Sequence, residues 1–198
     1  SFGEIKGSNG WRNFTKLFHE LAFKGVVERT VVWVVVVVGV TMLVSLALAQ
    51  LFHQSFPGRK VARWALIAPW AASVLMTAIV FKWMLTPGYG LINIVLHDLG
   101  LLKNLNGASA DPLGKEATAM PWLIFVAVFV SLPFTTYTIL AGHATIPGDV
   151  YEAARVDGSS RWHTYRSITL PLLRPALTVA TLINVMNVFN SFPIIWAM

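Results

Sequence analysis

The chain has 198 residues, of which 56% are hydrophobic and 12% charged, and its mean hydropathy is +0.64. A composition this apolar excludes an ordinary soluble domain and indicates an integral membrane protein. The formal net charge is +6, but the basic residues are scattered through the connecting segments, which argues against nucleic acid binding and favours basic loops beside a membrane. The absence of cysteine excludes disulfides and cysteine-ligated metal sites.

The first 30 residues mix charged and apolar side chains. Phe14, Leu17, Phe18 and Leu21 recur at the spacing of one helix face, which predicts an amphipathic helix. Such a helix would either lie at the membrane surface or pack against the outer face of the protein itself. The second arrangement is favoured.

Four stretches of the sequence are long and apolar enough to cross a membrane as helices. About 20 helical residues span a hydrocarbon core of about 30 Å, and a lone strand is excluded because its backbone groups would have no partner in lipid. The predicted spans are residues 31–52, 64–85, 120–140 and 176–198. Pro133 is expected to kink the third of them.

Two connections between these spans have distinct characters. Residues 53–63 contain three basic side chains, and Pro57 and Gly58 predict a turn there. Residues 86–119 are predicted to form a loop, and its apolar piece, residues 91–102, is too short to cross a membrane.

Residues 86–90, Thr-Pro-Gly-Tyr-Gly, resemble the selectivity filter of a potassium channel. The fit is poor, because proline replaces the filter's valine and no pore helix clearly precedes the string. A turn that closes the second span is therefore the favoured interpretation, and an ion channel stays an alternative function.

A secondary carrier is a further alternative, although the four spans contain no Asp, Glu or His that could relay protons.

The polar segment between the third and fourth spans, residues 141–175, is predicted to form a helix, a turn and a second helix. Asp149 occupies the N-cap position of the first helix, and Glu152 three residues later completes a capping-box pair. Gly158 is expected to end this helix. The second helix is expected to lie between a serine cap and a proline, with Ser159 or Ser160 before it and Pro171 after it.

The same segment resembles the EAA motif of bacterial ABC-importer permeases, and every fixed position of that motif matches. The matching residues are Glu152, Ala153, Ala154, Gly158, Ile168, Thr169, Leu170 and Pro171. A second string, FKWMLTPGYGLIN, resembles the segment after the third helix of the sugar-type members. The resemblance implies an all-α integral membrane protein with the type I ABC importer transmembrane fold, in the carbohydrate-uptake branch.

In function, the resemblance implies the permease subunit of an ATP-driven importer of a sugar or sugar-like solute, in the bacterial inner membrane. The chain would bind no cofactor and catalyse no reaction, because ATP and Mg²⁺ would be held by a dimer of partner ATPase subunits. The other implied partners are a second permease subunit, expected to be a paralogue, and an extracytoplasmic substrate-binding protein. Residues 141–175 would be the cytoplasmic coupling loop, which we call the EAA loop.

The count of basic residues does not orient the chain, because the two sets of alternating connections hold seven each. The resemblance decides the orientation: residues 53–63 and the EAA loop are expected to be cytoplasmic, and residues 1–30 and 86–119 external. Both ends of the chain then lie outside. We therefore expect a fragment of a six-helix core, with at least one earlier helix missing and one more after Met198.

Four residues of the EAA motif have an ordinary structural interpretation beside the functional one. Glu152 could simply cap a helix, or it could contact the ATPase, and the complete motif favours the contact. Ala153 and Ala154 could be plain helix formers, or they could permit close approach at a docking face. Gly158 requires a left-handed backbone in either interpretation.

The last span carries a polar stripe in which Asn184, Asn187 and Ser191 share one face, with Asn190 beside them. Amides in lipid must be paired, so these residues either bond neighbouring helices or line a wet passage. In the resembling permeases the helix after the EAA loop lines the pathway. We therefore expect this face to contact the transported solute.

Overall fold

The computed structural model describes residues 11–105 and 111–198, and every regular element in these ranges is a helix. In chain order the elements are α1 (Arg12–Phe18), α2 (Leu21–His53), α3 (Arg59–Ala71), α4 (Val74–Met84), α5 (Leu91–Asp98), α6 (Glu116–Ala144), α7 (Gly148–Val156), α8 (Arg161–Thr164), a π-helical turn (Tyr165–Thr169), α9 (Leu170–Leu172), α10 (Arg174–Phe189) and α11 (Phe192–Ala197). The prediction of an all-α protein is confirmed for the described residues. Parts of two predicted external segments, residues 1–10 and 106–110, lie outside them.

Three apolar stretches in the described ranges are long enough to cross a membrane: Phe23–His53, Ala117–Ala144 and Arg174–Ala197. They contain the predicted first, third and fourth spans. The long helices α2 and α6 pack together, and α10 packs against both. Buried valines and Trp33 from these helices form the main core cluster. The packing of these three helices positions the shorter elements.

The predicted second span is wrong as a single helix. α3 ends at Ala71, the backbone is extended at Ala72 and Ser73, and α4 begins at Val74. The Ser73 hydroxyl accepts a hydrogen bond from the Met76 amide at 3.2 Å, so it caps the N-terminus of α4. Hydropathy does not register such a break, because apolar residues continue on both sides of it.

The predicted amphipathic face at the start of the chain is divided between two helices. α1 ends at Phe18, and α2 begins at Leu21, earlier than the predicted span. Phe14, Leu17 and Phe18 are all exposed. The favoured expectation, that this face packs against the outer surface of the protein, is therefore wrong for the described structure.

The turn predicted after the first span is confirmed. Gly58 has a φ of +86°, and α3 begins at the next residue. Arg63 donates a 2.7 Å hydrogen bond to the Phe52 carbonyl, and the Tyr137 hydroxyl donates to the Arg63 carbonyl at 3.1 Å. A basic residue of this connection therefore satisfies an orphan carbonyl at the end of α2 and ties the turn to α6.

The Thr-Pro-Gly-Tyr-Gly string forms the predicted turn at the end of α4. Gly88 has a φ of +89°, and its amide donates to the Leu105 carbonyl at 2.8 Å. The Asn93 side chain is buried, and its amide donates to the carbonyls of Leu85 at 2.9 Å and Thr86 at 3.1 Å. The Asn93 side chain therefore satisfies two carbonyls at the C-terminal end of α4, where the string forms a turn.

The helices α6 and α10 approach closely where the EAA loop leaves and rejoins the membrane part. A Cβ atom added at Gly142 would lie 2.5 Å from the Cβ of Ala176 and 3.2 Å from Leu173 Cδ2. Small residues permit such close contact between helices in lipid. The two ends of the EAA loop are therefore held at a fixed separation.

Candidate functional site

The first helix of the EAA loop begins differently from the prediction. α7 starts at Gly148 with Pro147 as its N-cap, and no side chain caps it. Asp149 lies inside the first turn, where its charge complements the helix dipole. The Glu152 carboxylate is 71% exposed and lies 3.9 Å from the Arg155 guanidinium. The predicted capping pair of Asp149 and Glu152 is therefore wrong, and the Glu152 carboxylate is open to a partner.

The end of α7 agrees with the prediction. Gly158 has a φ of +71°, and its amide donates to the Arg155 carbonyl at 3.1 Å. The Ser159 amide donates to the Ala154 carbonyl at 2.9 Å, which completes a Schellman motif. No described atom lies within 4 Å of a Cβ added at Gly158, so the turn requires glycine for its backbone conformation alone.

The second helix begins as predicted and ends later. The Ser160 hydroxyl accepts from the His163 amide at 3.3 Å and caps α8. α8 then continues through the π-helical turn into α9, and only Leu173 separates α9 from α10. Pro171 lies at the start of α9, directly after the π-helical turn. The expectation that the second helix stops before Pro171 is therefore wrong.

The motif residues face different ways in the folded loop. Glu152 and Ala153 are exposed, whereas Ala154 and Thr169 are buried. Ile168, Leu170 and Pro171 are half-buried. Of the two alanines, only Ala153 offers an open surface beside the glutamate, because Ala154 packs inward. The exposed part of the motif is thus one turn of α7.

Tyr151 on α7 lies beside a pair of stacked histidines that no sequence pattern predicted. The His53 ring, at the end of α2, stacks on the His143 ring of α6 with centroids 4.8 Å apart, and the Tyr151 ring of α7 lies 6.0 Å from His53. His143 is fully buried. These ring contacts join α7 to the ends of two membrane helices.

The predicted polar stripe lines a cavity of about 570 Å³ between α6, α10 and the two interrupted helices. Asn184, Asn187, Asn190 and Ser191 all contribute to its wall. Among the lining residues that the sequence prediction did not include are Trp70 on α3, Ser73 before α4, and Ser131 and Thr135 on α6. The break at Ser73 and the break between α10 and α11 both lie in the cavity wall.

The stripe residues divide between the two roles that the sequence left open. Asn184 is 2% exposed, and its Nδ2 donates to the Thr135 hydroxyl at 3.2 Å, which ties α10 to α6. Ser191 accepts a hydrogen bond from Trp33 Nε1 at 3.0 Å and is also buried. Asn187 and Asn190 are exposed to the cavity. Asn184 and Ser191 thus hold helices together, while Asn187 presents a free amide.

The lining of this cavity has a clear chemical character. It combines amides and hydroxyls with aromatic rings, including those of Trp70 and Phe134, and the described residues contribute no ionisable side chain. Such a surface can hydrogen-bond and stack on a neutral, hydroxyl-rich molecule without the cost of burying a charge.

The sequence of this chain is similar to those of known proteins. The family described as "Binding-protein-dependent transport system inner membrane component" matches residues 36–196. A probable ABC transporter permease protein of Brucella suis is 43% identical over 197 residues, which cover 100% of this chain and 67% of that protein. The trehalose/maltose transport system permease protein of Thermococcus litoralis is 32% identical, over 96% of this chain and 62% of its own length.

Among solved structures, one chain of the crystal structure of a bacterial alginate ABC transporter, in complex with an alginate pentasaccharide-bound periplasmic protein, superimposes with a TM-score of 0.78. Its sequence identity is 24%, and the match covers 88% of this chain and 59% of that chain. This likeness shows the fold. The chain spans about two thirds or less of the length of these three proteins.

Proposed function

Because the chain belongs to the family of binding-protein-dependent transport system inner membrane components, we propose that it forms the membrane pathway of an ATP-driven importer for a sugar or sugar-like solute. The observation that carries this proposal is the uncharged cavity beside the interrupted helices, with Asn187 exposed in its wall. Interrupted helices near the middle of the membrane are a common setting for solute sites in transporters. A trehalose/maltose permease among the relatives agrees with this choice of cargo.

The coupling mechanism follows from the way α10 connects the two regions. α10 begins at Arg174, at the end of the EAA loop, and carries Asn184 and Asn187 in the cavity wall. A displacement of α7 can therefore move the cavity wall through α10, while the histidine stack links the same displacement to α2 and α6. An equilibrium between inward-open and outward-open states, biased by nucleotide in the partners, would complete alternating access.

The partners follow from the same arrangement. The exposed turn of α7 with Glu152 would dock in a groove of one subunit of an ATPase dimer, and that dimer would bind ATP and Mg²⁺. This chain would itself hydrolyse nothing and bind no cofactor. A second permease subunit, expected to be a paralogue, would complete the pathway, and a substrate-binding protein would deliver the cargo from outside.

The test of this function uses the full permease complex with its ATPase in sealed vesicles. Sugar-loaded binding protein should stimulate ATP hydrolysis, and uptake of labelled sugar should require both ATP and the binding protein. Vesicles that receive the binding protein without ATP are the control. Solute flux that proceeds at full rate without ATP would instead support the ion channel or secondary carrier.

The membrane orientation gives a separate prediction. Val156 on α7 is 87% exposed, and Leu101 in the loop after α5 is 73% exposed. An impermeant thiol reagent should label Leu101→Cys in intact cells and Val156→Cys only after the cells are opened, because we place the EAA loop in the cytoplasm. The parent sequence contains no cysteine and is the blank. The reverse labelling pattern would invert the proposed topology.

A further inference from the structure

A polar cavity of about 460 Å³ lies between the end of α2 and the EAA loop. Every described residue in its wall is polar, including Arg155, Arg161 and Tyr151, and none of them is a carboxylate. Glu152 lies outside this wall, 3.9 Å from the Arg155 guanidinium, and is mostly exposed. The cavity therefore has a positive lining that an anionic group would neutralise.

A second cavity, of about 590 Å³, continues from the first along α2. It shares Gln50, Arg161 and Tyr165 with the polar cavity, and the rest of its wall is apolar. The apolar wall is formed by Leu43, Leu46, Ala47 and Trp162. The two cavities, which adjoin at these shared residues, thus form one candidate site with a basic, polar end and an apolar end.

Two side chains in the polar cavity lack partners that their burial demands. Gln50 Oε1 and the Tyr151 hydroxyl are both buried, and neither has a hydrogen-bond partner among the described residues. Buried polar groups of this kind are normally satisfied by protein, water or ligand. Burial also raises the pKa of the Tyr165 phenol, which further disfavours a negative charge in the site.

We propose that this site binds one anionic phospholipid, with its phosphate at Arg155 and Arg161 and an acyl chain along the apolar wall on α2. Basic pockets beside transmembrane helices on the cytoplasmic side are suited to anionic lipid headgroups. Trp162 in the apolar wall is exposed, and an indole ring favours the membrane interface. The inference rests on the proposed function only for the assignment of this end to the cytoplasmic leaflet.

The test measures lipid retention by the full permease complex in nanodiscs of phosphatidylcholine and phosphatidylglycerol. Native mass spectrometry of the released complex should show bound phosphatidylglycerol for the parent. The double variant Arg155→Gln with Arg161→Gln should bind it roughly 30-fold more weakly, since each basic residue near the surface contributes about fivefold. Arg166→Gln is the matched control, because Arg166 is exposed in the same loop and lines neither cavity.

A further variant separates a lipid from a soluble phosphate compound. Ala47→Trp would fill the apolar end and leave both arginines in place, so it should also lower phosphatidylglycerol retention. If Ala47→Trp retains phosphatidylglycerol like the parent, or if glycerol 3-phosphate displaces it at equal concentration, the site is for a soluble phosphate and the proposal is wrong. Equal retention by the double variant and the parent would overturn it as well. ATPase stimulation of the parent complex by the binding protein tests the importer function independently of these variants.

Discussion

Glu152→Gln should abolish ATP-driven uptake while the permease itself still folds. The carboxylate is 71% exposed and caps no helix, so its loss removes no internal hydrogen bond of the described structure. If it pairs with a basic residue in the ATPase groove, loss of its charge should weaken docking by roughly 2 to 5 kcal/mol. Glu152→Ala should have the same effect, because the structure gives the side chain no capping role that glutamine would preserve.

Asp149→Asn is the matched control for this experiment. Asp149 is an exposed carboxylate in the first turn of the same helix, and its neutralisation should cost only about 0.3 to 1 kcal/mol of helix dipole stabilisation. Co-purification of the ATPase and binding-protein-dependent uptake are the two measurements. Normal docking of Glu152→Gln, together with failure of Glu152→Ala, would show that the length of the side chain matters and that its charge does not.

Asn187→Leu should weaken uptake roughly 5- to 150-fold at low sugar concentration, with assembly of the complex unchanged. Asn187 is exposed in the cavity wall, and the loss of one or two hydrogen bonds to cargo corresponds to about 1 to 3 kcal/mol. The change should raise the sugar concentration needed for half-maximal uptake more than it lowers the maximal rate, because the lost contact is one of binding.

Asn184→Leu is the companion variant, and we expect the opposite pattern. Asn184 is buried and donates to the Thr135 hydroxyl, so its replacement should reduce the yield and thermal stability of the complex. Thermal unfolding of the purified complex separates the two variants. If Asn187→Leu also prevents assembly, its amide serves helix packing and the assignment of this face to cargo fails.

The general architecture of this protein was accessible from its residues alone. Composition indicated a membrane protein, and the requirement that lipid-exposed backbone be internally bonded left helices as the form of the long apolar segments. Local sequence rules were equally reliable at positions that depend only on backbone conformation. Gly58 and Gly158, for example, both adopt positive φ values. The EAA motif indicated the family that the comparisons then showed.

Capping chemistry was less predictable, because several residues compete for each helix end. Asp149 and Ser73 are both good N-cap residue types. Of these two residues, only Ser73 caps a helix, because Pro147 occupies the N-cap position before α7. Both residues fit the N-cap pattern in the sequence. Which residue occupies the N-cap position depended on where the preceding segment ends.

What the sequence determined by itself was the class of protein, the approximate positions of the apolar segments and the motif that identifies the family. The tertiary structure decided which residues of the polar stripe pack between helices and which face the cavity. Asn184 is buried against Thr135 and Asn187 is exposed, because α6 packs against α10 in this way. It also decided that His53 and His143 stack, since residues 90 positions apart meet only where α2 and α6 end together. Periodicity along one helix specifies a face, whereas the neighbour that covers this face is chosen by the packing of all the helices.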